Sequence, residues 1–297
     1  MTITDWLLAQ NRTKTSIYHL GKYCGDWKAS TYPQGRPSFH FILSGECWLD
    51  VGCRERTFLE EGDVLFFFKN IPFYLTSSQD GEVTTLPVKE MTEIDDPTEG
   101  TSLLCGFLNP ESVGSQVLFA LLPEFVLVKK TDDAGSKLHL LFELLKKECR
   151  PDEANNDAIV HHLTEAILFY VVGRDVIQNE IDINLLQLAE DKLLAELIID
   201  ILEQPEKRWS LEDMSSHIYM SRSTFIRRVM KITGYTPNHM LSKLRIIKAI
   251  NLLRLEYTVE EIACKVGYDS LTGFYRAFKR VTGLSPNSYR ELAYASS

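Results

Sequence analysis

The feature that most constrains this chain is a repeat near its C-terminal end. Ser221-Arg222-Ser223-Thr224-Phe225-Ile226-Arg227-Arg228 runs on to Lys231-Ile232-Thr233-Gly234-Tyr235-Thr236-Pro237. Forty-nine residues later, Ser270-Leu271-Thr272-Gly273-Phe274-Tyr275-Arg276-Ala277 runs on to Arg280-Val281-Thr282-Gly283-Leu284-Ser285-Pro286. Phe225 and Phe274, Arg227 and Arg276, Gly234 and Gly283, and Pro237 and Pro286 keep that one offset. Self-similarity of this kind implies two copies of one supersecondary unit.

Placed on a helical wheel at about 100° per residue, Phe225, Val229 and Ile232 share one face of the first copy. Phe274, Phe278 and Val281 share it in the second, and both faces are expected to pack inward. The opposite face holds Ser223, Arg227, Met230 and Lys231, then Thr272, Arg276, Lys279 and Arg280. A short helix precedes each: Leu211–Ile218 with turn Tyr219-Met220 and cap Ser221, and Val259–Val266 with turn Gly267-Tyr268-Asp269 and cap Ser270. In these first helices Leu211, Met214 and Ile218 match Val259, Ile262 and Val266 at an offset of 48, because Asp269 lengthens the second turn. Short helix, tight turn and outward basic helix describe a helix-turn-helix. Arginine can donate two bonds to guanine, while flanking Lys and Arg reach phosphates. Double-stranded DNA is therefore the expected partner.

Charge supports this. Pro205–Ser297 carries 15 Lys and Arg against 8 Asp and Glu, a net +7, which leaves a net −16 on the remainder of a chain whose total is −9. An acidic module joined to a basic one fits contact with a polyanion through the basic part.

From Trp209 to Arg290 the chain resembles the DNA-binding domain of AraC/XylS-family transcription regulators. The residues that carry the resemblance are Ile262-Ala263, Val266-Gly267-Tyr268, Phe274, Arg276-Ala277-Phe278-Lys279-Arg280, Gly283, Ser285-Pro286 and Tyr289-Arg290, with Ser221–Phe225 and Arg227-Arg228 in the first half. The resemblance implies a linker helix, here Pro237–Leu255, that sets two recognition helices into successive major grooves about 34 Å apart. It implies Arg227 and Arg276 as principal base contacts, with Ser223, Thr224 and Thr272 beside them. Arg222, Lys231, Lys279 and Arg280 become phosphate or flanking contacts. Tyr219 stands where that family commonly has Gly, and Ser215 where Ala is usual. Ile226 and Leu271 are apolar where relatives place polar readers, and either can touch a thymine methyl.

The first third reads as β. Phe39–Leu43, a turn at Ser44-Gly45-Glu46, Cys47–Val51, Phe58-Leu59, Val64–Phe68, Phe73–Thr76 and Ser102–Leu108 are short strands with Gly and Pro punctuation, and Asp80–Thr101 reads as a polar loop. Phe39–Leu43, Ser44-Gly45-Glu46, Leu59–Asp63 and Cys105-Gly106 through Leu121-Leu122-Pro123-Glu124 resemble, more weakly, the cupin-like domain of one AraC subgroup. That implies a barrel that binds a small effector or mediates dimerisation. Helices follow at about 137–177, with stripes Leu138, Leu141, Leu144, Leu145 and Ile159, Leu163, Ile167, Val171. They suit an antiparallel pair with one face on the β module and another open to a second subunit. The expected fold is α+β: residues 1–180 a cupin-like barrel with a helical dimerisation segment, 181–191 a linker, and 192–297 an all-α domain with two helix-turn-helix units.

Within the β module His40, Trp48, Phe66, Phe68 and Tyr74 are the candidate effector-pocket residues, with ordinary core packing as the competing reading. Metal-using cupins need several converging histidines. Here His40 stands alone among the strands and Phe73 follows Pro72, so neither a metal, a cofactor nor enzyme chemistry is expected. Cys47 and Cys53 flank one hairpin and invite a redox reading, but six cysteines without CxxC spacing suit free thiols in a reduced, cytosolic protein. No signal peptide or membrane span is expected.

The chain is thus expected to be a homodimeric regulator that meets promoter DNA and RNA polymerase, tuned by a small molecule or a regulatory protein. A cupin metalloenzyme with a helical appendage is the rival from another class.

Overall fold

The computed structural model describes residues 3–52, 55–79, 85–133, 137–150, 157–178, 183–253, 255 and 257–295. Cys53, and with it the Cys47–Cys53 pairing, lies outside them. The chain opens with α1 (Ile3–Gln10), β1 (Thr13–Cys24), β2 (Lys28–Ala29), β3 (Ser38–Ser44) and β4 (Glu46–Asp50). Next come β5 (Thr57–Glu60), β6 (Val64–Phe67), β7 (Tyr74–Thr76) and β8 (Gly100–Pro110). Then follow α2 (Val113–Leu121), β9 (Phe125–Val128), α3 (Lys137–Glu148), α4 (Asp157–Gln178), α5 (Ile183–Leu186) and α6 (Lys192–Glu203). The last six helices are α7 (Leu211–His217), α8 (Arg222–Thr233), α9 (Pro237–Leu253), α10 (Val259–Lys265), α11 (Leu271–Thr282) and α12 (Pro286–Ala295).

These elements form two compact units that are not contiguous in sequence. The β unit comprises Thr13–Glu111 and Glu124–Asp175. The helical unit comprises Met1–Arg12, Ser112–Pro123 and Val176–Ser297. The sequence division at 181–191 runs along the chain, whereas α1 and α2 come from the N-terminal part and sit in the helical unit.

The β unit is two antiparallel sheets, ordered β1-β8-β3-β6-β9 and β2-β7-β4-β5. Period-2 alternation decides which side chains meet between them. Tyr23, Ile42, Leu65, Phe67, Leu103 and Cys105 from the first sheet pack against Cys47, Leu49, Leu59 and Leu75 from the second. The turn into β4 needs Gly45, whose φ is 75°, because a Cβ there would stand 2.5 Å from the Gly100 carbonyl oxygen. On the other face of the five-stranded sheet, Phe39, Phe41, Phe66 and Phe68 form a ring cluster that reaches Phe142 of α3. From α4, His161 Nδ1 lies 2.9 Å from Thr15 Oγ1 of β1. In α3 the buried residues are Leu138, Phe142 and Leu145, while Leu144 of the expected stripe is 45 % exposed. In α4, Ile167 and Val171 are buried as the stripe requires, and Ile159 is 37 % exposed.

The helical unit is assembled by caps. Ser112, Asp191, Ser210, Ser221, Thr258 and Ser270 each accept from an amide of the following turn, and Ser210 and Thr258 form capping boxes with Asp213 and Glu261. The α2 helix buries Val117, Leu118, Phe119 and Leu121. The Ser112 hydroxyl donates to Gln10 O at 2.5 Å, and Asn251 Nδ2 of α9 donates to Leu121 O at 3.1 Å.

Candidate nucleic-acid interface

Two helix-turn-helix units, α7–α8 and α10–α11, are built by the same local devices. Ser221 Oγ accepts from Thr224 N at 3.3 Å and Ser270 Oγ from Gly273 N at 3.2 Å. Each second helix ends on a left-handed glycine, Gly234 at φ 73° and Gly283 at φ 77°, whose amide caps Met230 O or Lys279 O. The buried face of α8 is Phe225, Val229 and Thr233; that of α11 is Phe274, Ala277 and Phe278. Ile232 and Val281, expected inward, are only partly buried. Thr233 takes the inward place in α8 because its hydroxyl is satisfied by Val229 O at 2.8 Å and Tyr235 N at 3.0 Å.

Of the expected contact residues, Arg222, Ser223, Arg227, Lys231, Thr272, Arg276, Lys279 and Arg280 are exposed, and Thr224 is half-buried. They differ in engagement. Arg222 is ion-paired with Glu212. Arg280 Nη2 donates to Ser242 Oγ at 3.2 Å, and Thr224 Oγ1 accepts from Ser221 Oγ at 2.9 Å. Arg228, the second arginine of the first copy, pairs with Asp191. Among the described residues the side chains of Arg227, Lys231, Arg276 and Lys279 take part in no hydrogen bond or ion pair. Met230, 46 % exposed, and Leu271, 37 % exposed, are apolar residues on these otherwise polar faces. One residue passed over in the sequence stands out in α9: Arg245, whose guanidinium reaches back to the segment before α7. Its signal was a lone arginine between Leu244 and Ile246 in an apolar helix.

The β unit contains a cavity of about 640 Å³ lined by Tyr18, Tyr23, Thr31, His40, Met91 and Cys105 among others. His40 sits at its wall and is 2 % exposed. Its Nδ1 lies 3.0 Å from Cys105 Sγ, and its Nε2 lies 3.3 Å from both Thr31 Oγ1 and Ser38 Oγ. Burial lowers the His40 pKa to about 3 and pushes the Cys105 thiol up, so both are neutral. Of the five candidate pocket residues, only His40 lines this cavity. Alternation turns Phe66 and Phe68 to the opposite face of their sheet, where they join the ring cluster. Trp48 and Tyr74 lie on the outer face of the four-stranded sheet, Trp48 packed on Phe58 at 5.0 Å and Tyr74 42 % exposed. Tyr18, Tyr23 and Met91 were missed because strand β1 and the segment after residue 85 carry little apolar alternation, and Thr31 because it lies in the turn after β2. Among the described residues no cluster of three or more His, Cys, Asp or Glu is placed to hold a metal ion. No described helix is long and apolar enough to cross a membrane.

A cupin family model matches residues 5–176 and a helix-turn-helix domain model matches residues 214–292. An HTH-type transcriptional regulator of Haemophilus influenzae is 31 % identical over 295 residues, 96 % of each chain. The chain belongs to the AraC-type transcriptional regulators. The RCS-specific HTH-type transcriptional activator RclR of Escherichia coli is 29 % identical over 217 residues, covering 71 % of this chain and 75 % of its own. Among solved structures, the DNA-binding domain of the global transcriptional factor AdpA in complex with a target DNA is 34 % identical, covering 34 % of this chain and 92 % of that one with a TM-score of 0.33. As an AraC-type regulator, the protein binds DNA through its helix-turn-helix domain.

Proposed function

We propose that this regulator reads its operator through α8 and α11, with Arg227 and Arg276 as the principal base contacts. The observation that carries this is the pair of capped helices that expose an uncommitted arginine at the same step of each. Ser223 and Thr272 stand beside the arginines as adjacent readers, and Lys231 and Lys279 meet flanking phosphates. Arg222, Thr224 and Arg280 join them once their present partners are exchanged for DNA. The β unit tunes this binding by accepting a small molecule in the cavity beside His40, whose volume lies in the range of metabolite sites. The protein works as a homodimer through the outer faces of α3 and α4, where Leu140 is 67 % and Leu144 45 % exposed, and acts on RNA polymerase at its promoter. No catalytic step is part of this reading.

Selection of bound duplexes from a random pool by the full-length protein tests the DNA contacts. Enrichment of two half-sites, with Arg276→Ala relaxing preference in one of them, is expected. A variant that enriches the same motif with unchanged strength defeats the assignment of Arg276. A thermal-shift screen of metabolites tests the cavity: hits that vanish in Tyr23→Ala are expected, and a broad library without a hit counts against a small-molecule effector.

A further inference from the structure

Arg245 lies across the seam between the two helix-turn-helix units. Its Nε donates to Pro205 O at 2.9 Å and its Nη2 to Lys207 O at 3.0 Å, both in the segment that leads into α7. Its guanidinium carbon stands 5.8 Å from the ring centroid of Tyr268, in the turn of the second unit. A Cβ on Gly267 would come within 2.5 Å of both Arg245 Nη2 and Pro205 O. One turn back on α9, Ser242 Oγ lies 3.3 Å from Tyr268 Oη and 3.2 Å from Arg280 Nη2 of α11. One face of the connecting helix thus grips the entry to the first unit and the turn of the second.

The chemistry suits a rigid joint. A planar guanidinium donating to two backbone carbonyls fixes direction as well as distance, which a lysine ammonium does not. Burial lowers the Arg245 pKa, in keeping with a group partly withdrawn from water. On B-form DNA each added base pair moves a half-site by about 3.4 Å and turns it by about 35°. A rigid pair of readers loses one of its contacts when that happens. A loose pair does not.

We propose that Arg245 is a positioning residue that fixes the separation of α8 and α11, so that the protein selects operators by half-site spacing as well as by base sequence. This rests on the reading of α8 and α11 as the two DNA-reading helices. Gly267 belongs to the same joint, since only a residue without Cβ lets the second turn close on the guanidinium and the Pro205 carbonyl.

The test uses the full-length chain and the duplex enriched from a random pool. That duplex is compared with versions carrying one base pair more or one fewer between the protected half-sites, and with versions in which one half-site is scrambled. The wild-type protein is expected to lose about tenfold or more on the shifted duplexes. Arg245→Lys is expected to bind the parent duplex several-fold more weakly, to lose less than about threefold on shifting, and to match wild type within about twofold on the scrambled duplexes. Arg245→Gln carries the same comparison if the lysine variant fails to fold. Wild-type protein that tolerates the shifts overturns the proposal, as does a variant weakened by one common factor on every duplex. Enrichment of a motif with a single half-site overturns it while leaving DNA reading intact. Enrichment of no motif at low salt defeats the two-helix reading itself.

Discussion

Tyr219 and Gly267 hold the same left-handed backbone conformation at the same step of two different turns, with φ of 56° and 80°. Each follows the residue that closes the first helix of its unit, Ile218 or Val266. Tyr219 is the one non-glycine residue with positive φ among those described. Its side chain is 95 % exposed, so little packing offsets the strain, whereas Gly267 is pressed against Arg245 and Pro205. Tyr219→Gly is therefore expected to raise the stability of the helical unit by up to about 1 kcal/mol. Gly267→Ala is expected to lower it by about 2 kcal/mol or more. Thermal denaturation of the two variants checks the order; a less stable Tyr219→Gly sinks the strain account.

The outward arginines and lysines should separate in binding assays. Arg276→Ala is expected to cost about 1–3 kcal/mol at the selected site and to broaden base preference at one position. Lys279→Ala should weaken all duplexes alike and reduce the slope of log K against log salt by about 1. Titrations at several salt concentrations on specific and scrambled duplexes distinguish the two. Indistinguishable profiles would remove the division between base reader and phosphate contact.

The helical repeat was legible because its signals are local. Ser221, Ser270, Gly234 and Gly283 announce helix ends by their own chemistry, and the 49-residue offset pairs them. Even there the wheel overreached, since Thr233 rather than Ile232 is buried in α8, a choice that depends on hydrogen bonds to Val229 and Tyr235. In the β unit, composition located strands but not their faces. Phe66, Phe67 and Phe68 are equally apolar, and only pairing with β3 and β9 shows that Phe67 shares the inter-sheet face with His40. Strand β1 went unread because Thr13-Lys14-Thr15-Ser16 is polar and its burial is shallow. Helix α2 was hidden in a run whose apolar residues face another segment of chain, and no local pattern announces such a partner.

Acid should act through His40. Burial lowers its pKa from 6.5 to about 3, so the unfolded chain binds a proton that the folded one refuses. The stability linked to this residue is fully present above pH 6.5 and is lost as pH falls toward 3, at about 1.4 kcal/mol per unit. By pH 5 about 2 kcal/mol should be gone from the β unit. Urea denaturation at pH 7 and pH 5 should show a smaller loss for His40→Gln than for wild type. Equal losses would mean that other groups govern the acid response.

The turn between β5 and β6 is held by one carboxylate. Asp63 is fully buried. It accepts from Glu60 N and Lys130 N, each at 2.9 Å, and is ion-paired with Lys129. Asp63→Ala should cost about 3 kcal/mol, because it leaves the Glu60 and Lys130 amides without their acceptor and breaks the ion pair to Lys129. The exposed pair Lys14–Glu111, with side chains 71 % and 47 % exposed, offers the contrast: Lys14→Ala should change stability by less than about 1 kcal/mol. Comparable effects in denaturant titrations would contradict this ranking.

Helix α2 also bears on how this regulator can be taken apart. The chain leaves β8, passes through α2, and returns to β9, yet α2 gives Val117, Leu118 and Phe119 to the interior of the helical unit and holds Asn251 by its last turn. The DNA-reading half is consequently no interchangeable cassette. A chimera that grafts residues 192–297 onto a foreign sensor inherits the readers but not the segments that cover α6, and a faithful transplant must carry 3–12, 112–123 and the stretch from 176 to 191, with the Asp191 cap, as well. Exchange of regulatory halves between relatives is easy where the seam is a single crossing; here the polypeptide has been stitched through it more than once.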